Sequence, residues 1–114
     1  MAQTSLPGDA EELLRRVVVF CNDRLWGTLN SCIIIDPKTA RSLGSRLEDS
    51  IAALEYGAVG VNHWPVLSFV WGMTTWRAFP GHALSDIQSG VGSVHNALLF
   101  DRVERSVIYG SFRV

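Results

Sequence analysis

The sequence predicts an α/β fold organised around a parallel βαβ unit. Three observations carry that prediction. Thr28–Ile35 is β-branched and nearly continuously apolar at its end, and Ala58–Trp64 is a second short apolar run. Runs of this kind fit strands buried on both faces, as in the interior of a parallel sheet. Between them, Leu43, Leu47, Ile51 and Leu54 recur at spacings of four, four and three, which is helical periodicity. Strand, helix and strand in this order imply parallel strands and a right-handed crossover.

The elements follow in chain order. Residues 1–8 are polar, end in Pro7-Gly8 and read as a flexible lead-in. Asp9 is an N-cap candidate with Glu12 three residues on, the spacing of a capping box. Leu13, Val17 and Phe20, with Leu14, Val18 and Cys21, then mark the apolar face of a helix over Asp9–Arg24. Gly27 closes that helix or starts the next turn. Asp36-Pro37 ends the first strand and supplies an N-cap and first position for the crossover helix. That helix runs to about Tyr56, with Gly44 as a possible break, Ser45 and Glu48 as a second capping box, and Gly57 as its stop. The second strand ends at Pro65.

Residues 65–96 form a long aromatic-rich loop holding Phe69, Trp71, Trp76 and Phe79 among glycines and prolines. Such loops are usually functional or packed against something. Ala97–Phe100 and Ser106–Phe112 read as C-terminal strands, the latter a candidate for oligomerisation, with the charged run Asp101–Arg105 between them.

Composition narrows the function classes. The chain has 114 residues, 47% hydrophobic and 18% charged, with a formal net charge of −1. One domain of this size buries a real core, and wholesale disorder is excluded because disordered chains pair low apolar content with high net charge. Nucleic-acid binding driven by bulk charge is disfavoured, since such proteins are usually basic. Tyr56–Trp76 holds no Asp, Glu, Lys or Arg and is long enough to span a bilayer. Its glycines, Pro65, Asn62 and His63 favour a buried strand and an apolar loop instead, so no membrane association is expected. Acidic and basic residues interrupt the first twenty positions, which therefore do not read as a signal peptide. Cys21 and Cys32 sit in apolar runs outside any CxxC and read as buried free thiols, consistent with a reducing, cytoplasmic compartment.

Few residues suggest chemistry. Gly90-Val91-Gly92 lacks the third glycine of a dinucleotide loop and reads as a tight turn. His63, His82 and His95 have no metal-ligand spacing, so no metal site is predicted. Ser93 and His95, two apart, are poorly placed for proton transfer, and no GxSxG is present. His63, ending a buried strand beside Trp64, stands where a pocket residue sits in an open α/β sheet, although a hydrogen-bonded histidine at the sheet edge is the simpler reading.

A collinear series of segments nevertheless resembles the aldehyde dehydrogenase superfamily. Phe20–Leu29 (FCNDRLWGTL) is similar to the family's Asn-containing helix end and aromatic-Gly-Leu entry into a strand. Gly57–Asn62 (GAVGVN) resembles its Gly-x-Val-x-Val-Asn strand, Trp76–Gly81 stands at its Pro-Phe-Gly-Gly type turn, and Arg102–Val107 resembles its closing segment. The series covers residues from about 10 to 112 and looks most like a divergent bacterial-type branch. It implies the C-terminal part of a catalytic domain from an NAD- or NADP-dependent oxidoreductase that turns aldehydes into carboxylic acids. In that family, a Cys thiolate adds to the aldehyde, hydride passes to NAD(P), and the thioester is hydrolysed.

The family's Gly-Gln-x-Cys nucleophile motif, its upstream general-base Glu and its cofactor domain are missing here, and neither Cys21 nor Cys32 matches the nucleophile motif. No catalytic role is therefore carried onto this chain, which is expected to be inactive alone and to bind no cofactor. The resemblance implies an aldehyde-channel wall at Asn62, His63, Trp64, Trp71 and Phe79, and a partner that is either a second copy or the remainder of such an enzyme. The competing expectation is a small interaction or structural protein that self-associates through its C-terminal strand.

Overall fold

The structure, a computed structural model, describes residues 9–96 and 98–113. The predicted lead-in, and the first residue of the strand expected at Ala97–Phe100, lie outside them. The chain divides into two units, one of residues up to Leu25 with Asp36–Leu54, the other of Trp26–Ile35 with the chain from Glu55 onward.

The first unit is helical. Helix α1 spans Ala10–Arg24, as its periodicity predicts. Asp9 caps it, its Oδ1 accepting from the Glu12 N–H at 2.9 Å and satisfying one of the free amides of the first turn. The Glu12 carboxylate turns to Arg15 and Arg16 at 2.9 and 2.6 Å. The crossover contains two helices, α2 over Pro37–Leu43 and α3 over Ser45–Ala53. Asp36 caps α2, accepting from the Lys38 and Thr39 amides at 2.9 and 3.1 Å and from the Thr39 hydroxyl at 2.5 Å. The break at Gly44 is real, with φ at +55°.

The second capping box does not form. Ser45 is the first residue of α3, and no side chain caps that helix. Helix α3 also stops at Ala53, short of the expected Tyr56. Asn22 Nδ2 donates to the Ala53 carbonyl at 2.8 Å and satisfies one of the groups freed there. Arg46 pairs with Glu11. Val18, Leu43, Leu47, Ile51 and Leu54 are the buried apolar residues of this unit.

The second unit is a three-stranded parallel sheet in the order β1-β2-β3, formed by Asn30–Ile33, Ala58–Val61 and Ser106–Tyr109. Asn30 lies opposite Ala58, and Ala58 opposite Ser106, so the three strands run side by side to a common carboxyl end. Every residue of central strand β2 is buried, as its continuous apolar run predicts. Strand β1 departs from the expected two-sided burial: it is an edge strand, Cys32 is exposed and Ile34 just beyond it is 71% exposed. Cys21 and Cys32 are not joined in a disulfide, as expected, but they are not buried: Cys21 is only part-buried and Cys32 is exposed.

Gly57 is a ladder position rather than a helix stop. Its N–H donates to the Thr28 carbonyl and its carbonyl accepts from Ser106 N, both at 2.9 Å. A Cβ there would lie 1.7 Å from the Arg77 carbonyl oxygen, so the Arg77 backbone crosses where any side chain would stand.

The uncharged Tyr56–Trp76 run resolves into β2, a turn, and the five-residue helix α4 over Leu67–Trp71. No helix among the described residues is long and apolar enough to cross a membrane. The remaining loop is tied by an antiparallel bridge between Trp76 and Val94. Gly90 N–H donates to the Ile87 carbonyl at 2.8 Å and closes a turn over Ile87–Gly90, so the hydrogen-bonded turn ends at Gly90 and the expected Gly90–Gly92 segment is a bend beyond it, with φ of +129° at Gly90 and +82° at Gly92. Leu98–Phe100 is a turn region, not a strand. Strand β3 ends at Tyr109, with a last bond from the Gly110 N–H to the Val61 carbonyl at 2.8 Å, rather than continuing to Phe112.

Candidate functional site

Three chain segments leave the sheet at its carboxyl edge, and between them lies an open cleft of about 720 Å³. It is lined by Ile34 after β1, by Asn62, His63 and Trp64 after β2, and by Tyr109 and Gly110–Arg113 at the end of β3. Ligands of open α/β sheets bind outside the carboxyl ends of the strands, where loops diverge from a rigid support. Here all three strands contribute.

Asn62 shapes the cleft floor. Its backbone is left-handed, φ +54°, a conformation that Asn tolerates better than most side chains. Its side-chain amide completes a two-bond ring with Ile35, accepting from Ile35 N and donating to Ile35 O, each at 2.8 Å. The amide thus extends the β1–β2 pairing past the last strand residues.

His63 follows in a turn that folds back on its own strand. A Cβ at Gly60 would lie 2.3 Å from the His63 carbonyl oxygen, and a Cβ at Gly110 would lie 2.6 Å from His63 Cδ2. Two glycines, one on β2 and one just past β3, therefore make room for this residue. The Cys32 thiol donates to the His63 carbonyl at 3.3 Å. Trp71 meets the imidazole edge-on, ring centroids 5.9 Å apart at 68°.

The five sequence-selected positions thus separate. Asn62, His63 and Trp64 line the cleft together. Trp71 stands outside the lining and supports the His63 ring. Phe79 is not brought here: its N–H donates at 3.0 Å to the carbonyl of Thr28, which precedes β1, and its ring lies 5.0 Å from the Arg105 guanidinium. Sequence reasoning missed Ile34, Tyr109, Ser111, Phe112 and Arg113. The signal that finds them is their place immediately around the carboxyl ends of parallel strands.

A second polar cluster sits at the opposite end of β1. The Thr28 hydroxyl and His82 Nε2 are 2.6 Å apart, and the Thr28 N–H donates to Ser89 Oγ at 2.7 Å. A hydroxyl beside an imidazole is the first requirement of an activated nucleophile. The adjacent Thr28 N–H, however, is committed to Ser89, and its carbonyl takes the Gly57 and Phe79 amides. The cluster ties the loop to the start of β1. His95 lies against Phe69, ring centroids 4.8 Å apart.

Among the described residues no group of three or more His, Cys, Asp or Glu side chains could hold a metal ion. The Gly90–Gly92 segment leads toward the Trp76–Val94 bridge rather than from a strand into a helix, the setting in which backbone amides cradle a pyrophosphate. No protein-family model matches the chain, and no curated protein or solved structure shows significant similarity to it.

Proposed function

We propose that the chain is the C-terminal part of an aldehyde dehydrogenase-like catalytic domain, with the cleft at the carboxyl ends of β1, β2 and β3 as one wall of its aldehyde channel. The observation that carries this reading is the position of Asn62-His63-Trp64. The segment that resembles the family's strand end projects from the central strand of a parallel sheet into the cleft at its carboxyl edge. Ile34 and Trp64, 71% and 61% exposed on the cleft rim, supply apolar surface suited to a channel lining completed by further protein. In this reading Asn62 holds the floor, Trp71 orients His63, and Trp64 excludes water from an apolar substrate. Nucleophile, base and NAD(P) site belong to the rest of such an enzyme.

The test starts from the reading frame upstream of Met1. A Gly-Gln-x-Cys segment with a Glu further upstream, both in frame, is the expected result, and the extended protein then oxidises aldehydes with NAD or NADP while the 114-residue chain does not. A frame lacking both motifs, or aldehyde oxidation by the short chain alone, overturns the reading.

A second reading, a self-associating interaction protein, is favoured by one observation. Strand β3 is an edge of the sheet, and edge strands offer unpaired backbone groups to a partner. Self-association in analytical ultracentrifugation that Val107→Pro abolishes supports this reading, because the N–H groups of Ser106 and Gly110 are bonded to β2 and Val107, between them, faces the outer edge.

A further inference from the structure

The cleft also constrains what enters it, an inference that rests on reading it as a ligand wall. Its apolar surface is largely aromatic: Trp64 and Tyr109 are more than half exposed, and Phe112 and Ile34 join them in the lining. Among its polar residues, Arg113 brings a guanidinium, which only donates, while Ser111 and His63 bring a hydroxyl and an imidazole that both donate and accept. The Asn62 amide is already committed to Ile35. No Asp or Glu is among the described lining residues, although acidic residues outnumber basic ones in the chain, 11 to 10. The local charge therefore runs against the chain's balance.

The support is rigid where it matters. Asn62 is locked to Ile35, and the His63 ring is held between Gly110 and Trp71. We propose that the cleft binds a planar aromatic ligand bearing a carboxylate, with the ring against Trp64 and Phe112 and the carboxylate on Arg113. A guanidinium presents paired N–H donors that match two carboxylate oxygens. Aromatic faces retain a flat apolar body better than an aliphatic chain of the same size. An ammonium in the carboxylate's place meets Arg113 with like charge and is rejected.

Benzoate is the probe, titrated into the ¹⁵N-labelled 114-residue chain, with benzyl alcohol, benzylamine and acetate as comparisons. The expected result is saturable shifts at the Gly110 amide and the Trp64 indole N–H. Benzoate binds about tenfold more tightly than benzyl alcohol or acetate, and benzylamine produces no saturation. Arg113→Gln removes the preference for benzoate over benzyl alcohol. Arg102→Gln, which removes the same charge from another surface, keeps it. Equal binding of benzoate and benzyl alcohol, a preference that survives Arg113→Gln, shifts that map away from Gly110, or no saturable shift at all overturns the proposal. None of these outcomes bears on the upstream frame, so failure here and failure of the enzyme reading are distinguishable.

Discussion

Asn62 and Ile35 are joined by two hydrogen bonds through a single side-chain amide, each 2.8 Å long. An amide here does the work of one more residue pair in the parallel ladder, on a backbone already turned to φ +54°. Asn62→Ala removes both bonds and leaves a Cβ residue without local compensation in a left-handed conformation. It should cost about 2–4 kcal/mol in urea unfolding. Asn62→Asp keeps the acceptor but turns a second oxygen toward the Ile35 carbonyl, and should lie between wild type and the alanine variant. Equal stability of all three would show that the ring contributes nothing.

The glycines around the cleft predict a graded series. Gly110→Ala places a methyl 2.6 Å from both the Asn62 carbonyl oxygen and His63 Cδ2, and should cost about 1–3 kcal/mol while shifting the His63 ring resonances. Gly57→Ala meets the Arg77 backbone at 1.7 Å and should be the most damaging. Gly81→Ala meets nothing within 4 Å and carries only the strain of φ +118°, about 1–2 kcal/mol. Thermal unfolding of the three variants gives the order directly.

Acid should act first on the helical unit. Hydrogen bonds from Arg15, then Arg16, hold the Glu12 carboxyl down at about 2, against an ordinary 4.5. Because the folded value is the lower one, this stabilisation is fully present above pH 4.5 and is lost as pH falls toward 2. Asp36 behaves in the same sense: bonds from the Thr39 hydroxyl and amide, then the Lys38 amide, hold its carboxyl below the usual 3.8. A ¹³C-detected carboxyl titration should place the Glu12 midpoint near 2. High salt should move that midpoint upward, because the group is exposed to solvent and screening weakens its pairing.

The Thr28–His82 contact predicts a local effect. Thr28→Val removes the hydroxyl at 2.6 Å from His82 Nε2 and should cost about 0.5–1.5 kcal/mol, with faster exchange of the residue-28 amide, which donates to Ser89 Oγ. Unchanged exchange would mean that Ser89 holds the loop without help from His82.

Local signals were the legible ones. Asp9 and Asp36 cap helices where their spacing predicts, because a cap involves residues only two or three positions away. The buried β2 and the change of chain direction at Gly90–Gly92 were legible for the same reason: a continuous apolar run and a pair of glycines that take positive φ are both local signals. Gly57 was misread because a glycine after a helical pattern looks like a stop, while its actual constraint is the Arg77 backbone twenty residues on. Ser45 offered a capping spacing that went unused because the helix began at Ser45 itself, after Gly44 broke the chain direction.

The candidate site divides in the same way. Asn62, His63 and Trp64 are consecutive, so one strand end carries all three into the cleft, and their grouping could be read from the chain. Phe79 shares their aromatic neighbourhood in sequence, yet its amide is bound at the opposite end of the sheet. Arg113 and Ile34 are 79 positions apart and meet at one cleft only because β1, β2 and β3 are parallel and in register. Apolar periodicity, capping and turn chemistry act over a few residues, so the α/β character and most helix starts were written in the chain. Which edges the strands occupy, which glycines are crossed by a distant backbone, and which side chains share a cleft depend on pairing between remote segments, and only the folded sheet decides them.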